Sequence, residues 1–139
     1  MEKILFEHRN SGEYDLESAW AEKTSEGYRL DNILFYAPEY SLGDIVQVEN
    51  RNGELYVTGL VQESGHSTVR ILFNNKEDVQ PIRDKLKTMQ CNSEISNIPI
   101  LISVDIPSDV DYLNLVKPFL INGENEGLFG YEESCLAHR

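Results

Sequence analysis

The spacing of apolar residues changes halfway along the chain, and this change constrains the fold more than any other feature. Up to about residue 66, apolar residues alternate with polar ones in short runs separated by turn sequences, which is typical of half-buried β-strands. Beyond that point apolar residues also recur at helical spacing. A chain of 139 residues is long enough for one domain or for two small subdomains that share an interface. We therefore predict an α+β protein with a β-rich subdomain at residues 1–66 and an α+β subdomain at residues 67–139, packed as one compact unit.

Two turn sequences define strands in the first half. The turn Ser25-Glu26-Gly27 separates residues 16–24 from residues 28–37, and both segments are predicted to be strands. The pair Asn52-Gly53 separates two further alternating runs. Asn-Gly between such runs is the strongest short-range hairpin signal, because both residues tolerate a positive φ. Residues 1–63 are therefore predicted to form a small antiparallel β-barrel or meander.

The second half is predicted to alternate between strands and helices. Its elements are a strand, a helix, one long strand, a second helix and a closing strand, at residues 69–73, 78–89, 95–107, 108–127 and 129–136. Ser108 is the predicted N-cap of the second helix, and Pro118 is expected to weaken or kink that helix near its end. This order matches a ferredoxin-like βαββαβ unit if the long strand is bent or split in two.

The charge of the chain restricts the partners that it can bind. Twenty-four acidic residues stand against twelve basic ones, which leaves a net charge of −12 and an isoelectric point near 4.5. Binding to nucleic acid or to an anionic membrane needs a basic face, and no cluster of Lys and Arg supplies one. We therefore predict a basic protein as the partner, with no nucleic acid and no membrane. Acidity that serves only solubility is the alternative.

The apolar runs and the cysteines predict a cytoplasmic protein. Charged residues interrupt every apolar run near the N-terminus before a signal peptide could form. No stretch approaches the roughly 18 apolar residues that a membrane helix requires. Cys91 and Cys135 lie in no C-x-x-C pattern, so a reducing cytosol favours two free thiols, with a disulfide between them as the alternative.

One polar segment stands out at the junction of the two halves. Around Gly65 it combines a histidine, three hydroxyl side chains and an arginine, and its candidate ligand-binding residues are Ser64, His66, Ser67, Thr68 and Arg70. In a cleft, His66 could transfer a proton and Arg70 could hold an anionic group. In the alternative, structural interpretation, the hydroxyls satisfy backbone groups in a tight crossover and His66 packs against an aromatic ring.

No complete catalytic, metal-binding or nucleotide-binding motif accompanies this segment. The three histidines lack the companions of a zinc site, and Ser64-Gly65 is not part of a G-x-S-x-G sequence. Neither of the glycine-rich phosphate-binding loops, G-x-x-x-x-G-K and G-x-G-x-x-G, is present. We therefore predict no catalytic residue, no metal and no cofactor, which favours a binding protein over an enzyme.

Acidic residues and tyrosines are interleaved in two stretches of the chain. Tyrosine rings supply contact area and carboxylates attract a cationic partner, so this composition is typical of a recognition surface. Half-buried strand tyrosines among solvated acids are the alternative. The candidate partner-binding residues are Tyr14, Glu17, Glu22 and Tyr28 in the first stretch, and Asp109, Asp111, Tyr112, Glu124, Glu126, Tyr131, Glu132 and Glu133 in the second.

Several short motifs resemble a bacterial family known only as domain of unknown function 4265. The likeness covers most of the chain and rests on Glu17 with Trp20-Ala21, on Tyr28 to Asn32 leading to Phe35, on Gly43 to Val46, on Ser64 to Arg70, and on Gly127, Tyr131 to Glu133 and Leu136. The resemblance implies no activity, substrate or catalytic residue. Leu34 departs from the Pro that members commonly have before the Phe, which affects packing only.

Size, acidity and α+β character also resemble, by profile alone, the immunity proteins of contact-dependent growth inhibition systems. Our leading hypothesis is therefore an immunity protein that neutralises a basic bacterial toxin domain by protein–protein interaction. The alternative is a small-ligand-binding protein or enzyme that uses a polar site around His66 and Arg70. A homodimer formed through a sheet edge is a third possibility.

Overall fold

A computed structural model describes residues 1–10 and 13–139 of the chain, with side chains at residues 1–7 and 15–139. The α+β class is confirmed, because the chain forms a closed β-barrel followed by a second sheet with two α-helices. Within the described residues, no helix is long and apolar enough to cross a membrane. The barrel ends at Gln62 and the second sheet begins at Ser67, while the division into two subdomains stays a prediction.

The barrel is a five-stranded meander closed on itself. Each strand pairs antiparallel with the next, and β1 then pairs with β5. In a meander with an odd number of strands the first and last run in the same direction, so the closing pair of β1 and β5 is parallel. Its strands are β1 (Glu2–Asn10), β2 (Glu13–Lys23), β3 (Tyr28–Leu30), β4 (Ile45–Arg51) and β5 (Glu54–Gln62).

Both predicted turns of the barrel are confirmed. The first hairpin closes at the pair Lys23 and Tyr28, and the second closes at Arg51 and Glu54. Asn52 has a φ of 55° and Gly53 a φ of 91°, so both central residues take the left-handed conformation that a type I′ turn requires.

Residues 28–37 do not form one strand, contrary to the prediction. Strand β3 ends at Leu30, and residues 31–44 form a long loop, which we call the bridging loop. The Glu17 carboxylate accepts hydrogen bonds from the amides of Phe35, Tyr36 and Ala37 at 2.7, 3.1 and 2.8 Å, so these amides bind a side chain instead of a neighbouring strand. Leu34 and Ala37 of the loop are buried in the barrel core, whereas Tyr36 is 40% exposed.

The second sheet contains four strands in the order β7-β8-β6-β9, with every neighbouring pair antiparallel. Its elements are β6 (Ser67–Phe73), α1 (Val79–Thr88), β7 (Ser93–Ile95), β8 (Leu101–Ile106), α2 (Lys117–Asn125) and β9 (Phe129–Cys135). The predicted single strand over 95–107 is therefore wrong. Pro99, which has no N–H to donate, lies in a tight turn in which the amide of Leu101 donates to the carbonyl of Ile98 at 2.9 Å.

The second helix begins later than predicted. Asp111, and not Ser108, caps it, since the Asp111 carboxylate accepts from the amide of Asn114 at 3.2 Å. A π-helical segment at Tyr112–Val116 leads into α2. Pro118 therefore lies at the start of α2, directly after the π-helical segment, and not near the end of the helix as predicted.

The two faces of the second sheet are covered differently. On β6, Val69, Ile71 and Phe73 belong to the hydrophobic core that the helices complete. The intervening residues Thr68, Arg70 and Leu72 point to the opposite face, because side chains alternate along a strand. We call this second surface the open face. The bridging loop covers only part of it, and Leu72 remains 52% exposed.

Candidate functional site

The start of the polar segment, at Ser64, is held by the carboxylate of Asp44 from the end of the bridging loop. The Asp44 carboxylate is buried and accepts from the amides of Ser41 and Ser64 at 2.9 and 2.8 Å. The Ser64 hydroxyl donates to the carbonyl of Leu42 at 2.8 Å and accepts from the amide of His66 at 3.2 Å. Ser64 thus satisfies backbone groups in the crossover between barrel and sheet.

His66 forms a pair with a carboxylate from β8. Its Nδ1 lies 2.8 Å from Oδ1 of Asp105, whose side chain is only 3% exposed. Burial raises the pKa of Asp105, and the hydrogen bond and charge of His66 oppose that rise. Because a carboxylate accepts, Nδ1 donates, and a neutral His66 therefore carries its lone pair on Nε2.

Ser67 is bonded to a second histidine near the C-terminus. The Ser67 hydroxyl lies 2.6 Å from Nδ1 of His138, and Nε2 of His138 lies 2.8 Å from the carbonyl of Pro107. A carbonyl can only accept, so Nε2 carries the proton and the hydroxyl donates to Nδ1. Ser67 also accepts from the amide of Ala137 at 2.8 Å and is 0% exposed. This buried serine therefore links the C-terminal segment to β6.

Thr68 and Arg70 connect the open face of the sheet to the bridging loop. The hydroxyls of Thr68 and Ser41 are both buried and 2.8 Å apart. Nη1 of Arg70 donates to the carbonyl of Phe35 at 2.7 Å, and its Nη2 forms an ion pair with Glu132. Burial lowers the pKa of Arg70, with the nearby Glu17 carboxylate acting in the opposite direction.

Arg70 is also part of the wall of a groove that extends from the open face around the edge of β9 to Tyr131 and Glu124 on the helix side, which we call the β9 groove. Its volume is about 480 Å³. Tyrosine rings, leucine side chains and two carboxylates line it, and the full set is Tyr36, Arg70, Leu72, Leu101, Glu124, Gly130, Tyr131 and Glu132. Aromatic and aliphatic walls with a few charged groups are the usual composition of a binding site.

The structure does not bring His66 and Arg70 into this groove together. They lie four positions apart on nearly extended backbone, which separates them by roughly 13 Å. His66 is paired with Asp105 at the junction, whereas Arg70 lines the groove with residues from β9 and the bridging loop. A single ligand site that uses both residues stays a prediction.

The first acidic stretch is divided between structural and exposed positions. Glu17 binds three loop amides, and Tyr28 is half-buried against the barrel core. Glu22 is exposed and lies 3.8 Å from Arg29. The side chain of Tyr14 lies outside the described residues. Of the described side chains in this stretch, Glu22 therefore has the most surface to offer a partner.

The second stretch contributes three residues to the β9 groove, namely Glu124, Tyr131 and Glu132. Tyr112 is only 1% exposed and donates to Glu133 at 2.5 Å, while Glu133 also pairs with Lys117 at 3.3 Å. The remaining predicted residues are exposed. Asp111 caps the helix and Glu126 accepts from Asn122, while Asp109 forms no side-chain hydrogen bond or ion pair with the described residues.

Sequence reasoning missed half of the groove and both acids of the junction. Tyr36, Leu72, Leu101 and Gly130 come from four separate segments, and no local pattern links them. Asp105 had a usable signal, because an acid inside the apolar run of residues 100–106 must be buried and needs a partner. Among the described side chains, no three His, Cys, Asp or Glu come together in a group able to hold a metal ion.

Comparison with known proteins gives a family and a fold. A family model described as "Domain of unknown function (DUF4265)" matches residues 17–131. The chain belongs to the DUF4265 family. Its fold is similar to that of a solved structure of a hypothetical protein from Neisseria gonorrhoeae, with 21% identity, a TM-score of 0.82, and coverage of 96% of this chain and 94% of that chain. No curated protein matches the chain. The family resemblance predicted from the motifs is thus confirmed, and at this identity the likeness to the solved structure shows the fold alone.

Proposed function

We propose that this DUF4265 protein is a binding protein whose β9 groove takes a basic segment of a partner protein. The observation that carries the proposal is the composition of the groove, where Glu124 and Glu132 lie beside the rings of Tyr36 and Tyr131. Carboxylates attract a cation, and tyrosine rings provide both contact area and a favourable surface for Lys or Arg.

The charge balance within the groove supports a cationic occupant over an anionic one. Arg70 is the one basic residue of the lining, and it already binds the Phe35 carbonyl and the Glu132 carboxylate. An anionic ligand would have to displace an existing partner of Arg70, whereas a cation meets Glu124 and shares Glu132 with Arg70, in a lining whose net charge is −1. The net charge of −12 adds long-range attraction for a basic protein.

In its specific form, the proposal is an immunity protein of the contact-dependent growth inhibition type, acting in the cytoplasm on a basic toxin domain. A domain that binds nucleic acid carries a basic groove. An inhibitor with an acidic, aromatic surface can cover that groove, and electrostatic attraction accelerates the encounter. Acidity, small size and the composition of the β9 groove support this form of the proposal.

The test is co-expression with the product of the adjacent gene, followed by capture and affinity measurement at low and high salt. Glu124→Lys should weaken the complex at least about tenfold, because it reverses a charge inside the groove. Glu26→Lys is the matched control, since it makes the same change of charge in the exposed turn between β2 and β3. Equal losses of affinity in both variants would show that the overall negative charge, and not the groove, determines binding. Capture of no basic partner would overturn the proposal.

A second candidate function is a small-ligand or enzymatic site at His66, favoured by the 2.8 Å pairing of His66 with Asp105. A carboxylate that accepts from Nδ1 fixes the orientation of the ring and leaves the lone pair of Nε2 to accept a proton. Thermal-shift measurements with small anions test this candidate. Stabilisation that disappears in His66→Gln supports it, and stabilisation that persists in the variant removes His66 from the role.

We also propose that residues 67–139 form a ferredoxin-like unit. The strand order β7-β8-β6-β9, the antiparallel pairing of all neighbours and the placement of helices after β6 and β8 support this assignment.

A further inference from the structure

Strand β9 forms one edge of the second sheet, and its register shows which backbone groups face outward. The amide of Asn74 donates to the carbonyl of Leu128 at 3.1 Å. Hydrogen-bonded pairs recur at every second residue of an antiparallel ladder, so Gly130 and Glu132 bond to β6. The N–H and C=O groups of Tyr131 and Glu133 therefore point away from the sheet.

Backbone hydrogen bonds from other segments flank the outward edge of β9. Just before the strand, the amide of Leu128 donates to the carbonyl of Gly123 at 3.0 Å, and near its end the carbonyl of Ser134 accepts from the amide of Glu39 at 3.3 Å. Between these points, the described residues supply no backbone partner for Tyr131 or Glu133 outside the sheet. The open stretch contains no Pro and no Lys, which are the residues that commonly protect an exposed edge.

The side chains along the edge fit an added strand of alternating character. Glu132 projects on the open face, while Tyr131 projects on the helix face, where it packs against the core and lines the groove together with Glu124. A Cβ added at Gly130 would meet nothing within 4 Å, so the open face has free space at this position. A cation opposite Glu132 and an apolar residue opposite Tyr131 would each find a complementary neighbour.

We propose that an extended basic segment of the partner adds to β9 as a fifth strand of the sheet. This inference rests on the proposed function and specifies how the partner binds. The backbone of the segment pairs with Tyr131 and Glu133, and its Lys or Arg side chains lie against Glu132 and Glu124. A second copy of this chain fits poorly, because it would place an equally acidic edge against these carboxylates.

The experiment uses the whole protein and two synthetic peptides in which Lys and Val alternate. One peptide has an ordinary backbone, and the other is N-methylated at every second nitrogen, which preserves its charge and side chains but removes strand pairing. The ordinary peptide should bind at least about tenfold more tightly, the factor expected from losing one or two backbone hydrogen bonds. Binding should also slow amide exchange at Tyr131 and Glu133.

Two variants of one residue separate backbone pairing from side-chain effects. Both Glu133→Pro and Glu133→Ala remove the carboxylate, but only the Pro variant also removes the outward N–H. Binding should fall several-fold further in the Pro variant, with circular dichroism of both variants confirming the fold. The exchange measurement on the unmodified protein gives the same answer without any substitution.

The outcomes distinguish the binding mode from the proposed function. Equal affinity for the two peptides, with no protection at Tyr131 and Glu133, would overturn strand addition and leave the acidic groove as the binding site. Binding of neither peptide would overturn both. Light scattering could show that the free protein is a dimer, and hydrogen exchange could show that its β9 amides are already protected. Both results together would assign the edge to a second copy and overturn the proposal.

Discussion

The barrel and the second sheet use the same acidic residue types for different purposes. In the barrel half, Glu17 and Asp44 accept hydrogen bonds from backbone amides and hold the bridging loop in place. In the second half, Glu124 and Glu132 face the β9 groove. The net charge alone cannot distinguish these roles, because a carboxylate that is committed to internal amides contributes little to recognition. The comparison shows that position, and not number, decides which acids are available to a partner.

The two halves also differ in their cores. The described core of the barrel contains Ala19, Ala21 and Ala37, whereas the core of the second sheet contains large side chains such as Phe73 and Phe129. The two phenylalanine rings meet edge to face with centroids 5.5 Å apart. Gly123 in α2 makes room for this pair, since a Cβ at that position would overlap the Phe129 ring. The groove is therefore built on the half whose buried core contains no alanine.

Core truncations give the largest expected effect and test whether the two halves unfold together. Leu86→Ala in α1 and Leu30→Ala in the barrel each remove a fully buried side chain, and each should cost about 2–5 kcal/mol of unfolding free energy. The cost of Leu86→Ala should lie at the upper end of this range, because the large side chains of the second core cannot easily fill the cavity that the substitution leaves. Urea unfolding followed by the fluorescence of Trp20, in the barrel, and by helical circular dichroism should show one coincident transition. Separate transitions would break the prediction of a single unit.

Removing the Glu17 carboxylate should have the next largest effect. Glu17→Ala leaves the amides of three loop residues without their acceptor and should cost about 2–3 kcal/mol. Glu22→Ala is the matched control on the same strand. It breaks only an exposed pair with Arg29 and should change the free energy of unfolding by less than about 0.5 kcal/mol. Equal effects in the two variants would contradict the structural role assigned to Glu17.

The smallest expected effect on stability near neutral pH comes from the ionisation of the buried Cys91 thiol, which we expect to show first in its reactivity. Burial, aided by the nearby Asp105 charge, raises the pKa of Cys91 to about 11. At about pH 8 its alkylation should therefore be roughly a hundredfold slower than that of an exposed cysteine, because only the thiolate reacts.

The same shift predicts a loss of stability in alkaline solution. The folded protein holds the thiol proton more tightly than the unfolded chain, so the contribution is complete below the ordinary thiol pKa and is lost as pH rises toward about 11. Cys91→Ala should remove this part of the pH dependence. An unchanged alkaline slope in the variant would contradict the assignment.

Sequence patterns correctly predicted the elements that depend on residues close together in the chain. The hairpin at Asn52-Gly53 and the helix beginning near Asp78 lie where the turn residues and apolar spacing place them. The errors fall where a distant group decides the outcome. Residues 31–37 have the composition of a strand, but the carboxylate of Glu17, from another strand, takes their amides. The segment 95–107 was divided by the turn around Pro99, which the apolar pattern concealed.

The sequence predicted half of the residues that line the β9 groove, but it assigned them to two different sites. Arg70 was assigned to a ligand site, and Glu124, Tyr131 and Glu132 to a partner surface, yet all four line one groove. Their sequence separation is large, and only the pairing of β6 with β9 brings Arg70 to Glu132. Asp105 and His138, which engage His66 and Ser67, were missed for the same reason.

The sequence by itself determined the α+β class, the hairpins, the first helix, the family and the acidity, because each depends on residue types or on spacing over a few positions. The tertiary structure alone decided which polar residues meet. It paired His66 with Asp105, committed Glu17 to the bridging loop, and left Glu124 and Glu132 beside the unpaired edge of β9. The physical reason is that hydrogen bonds and ion pairs act over a few ångströms in space, while the residues that form them lie tens of positions apart in the chain.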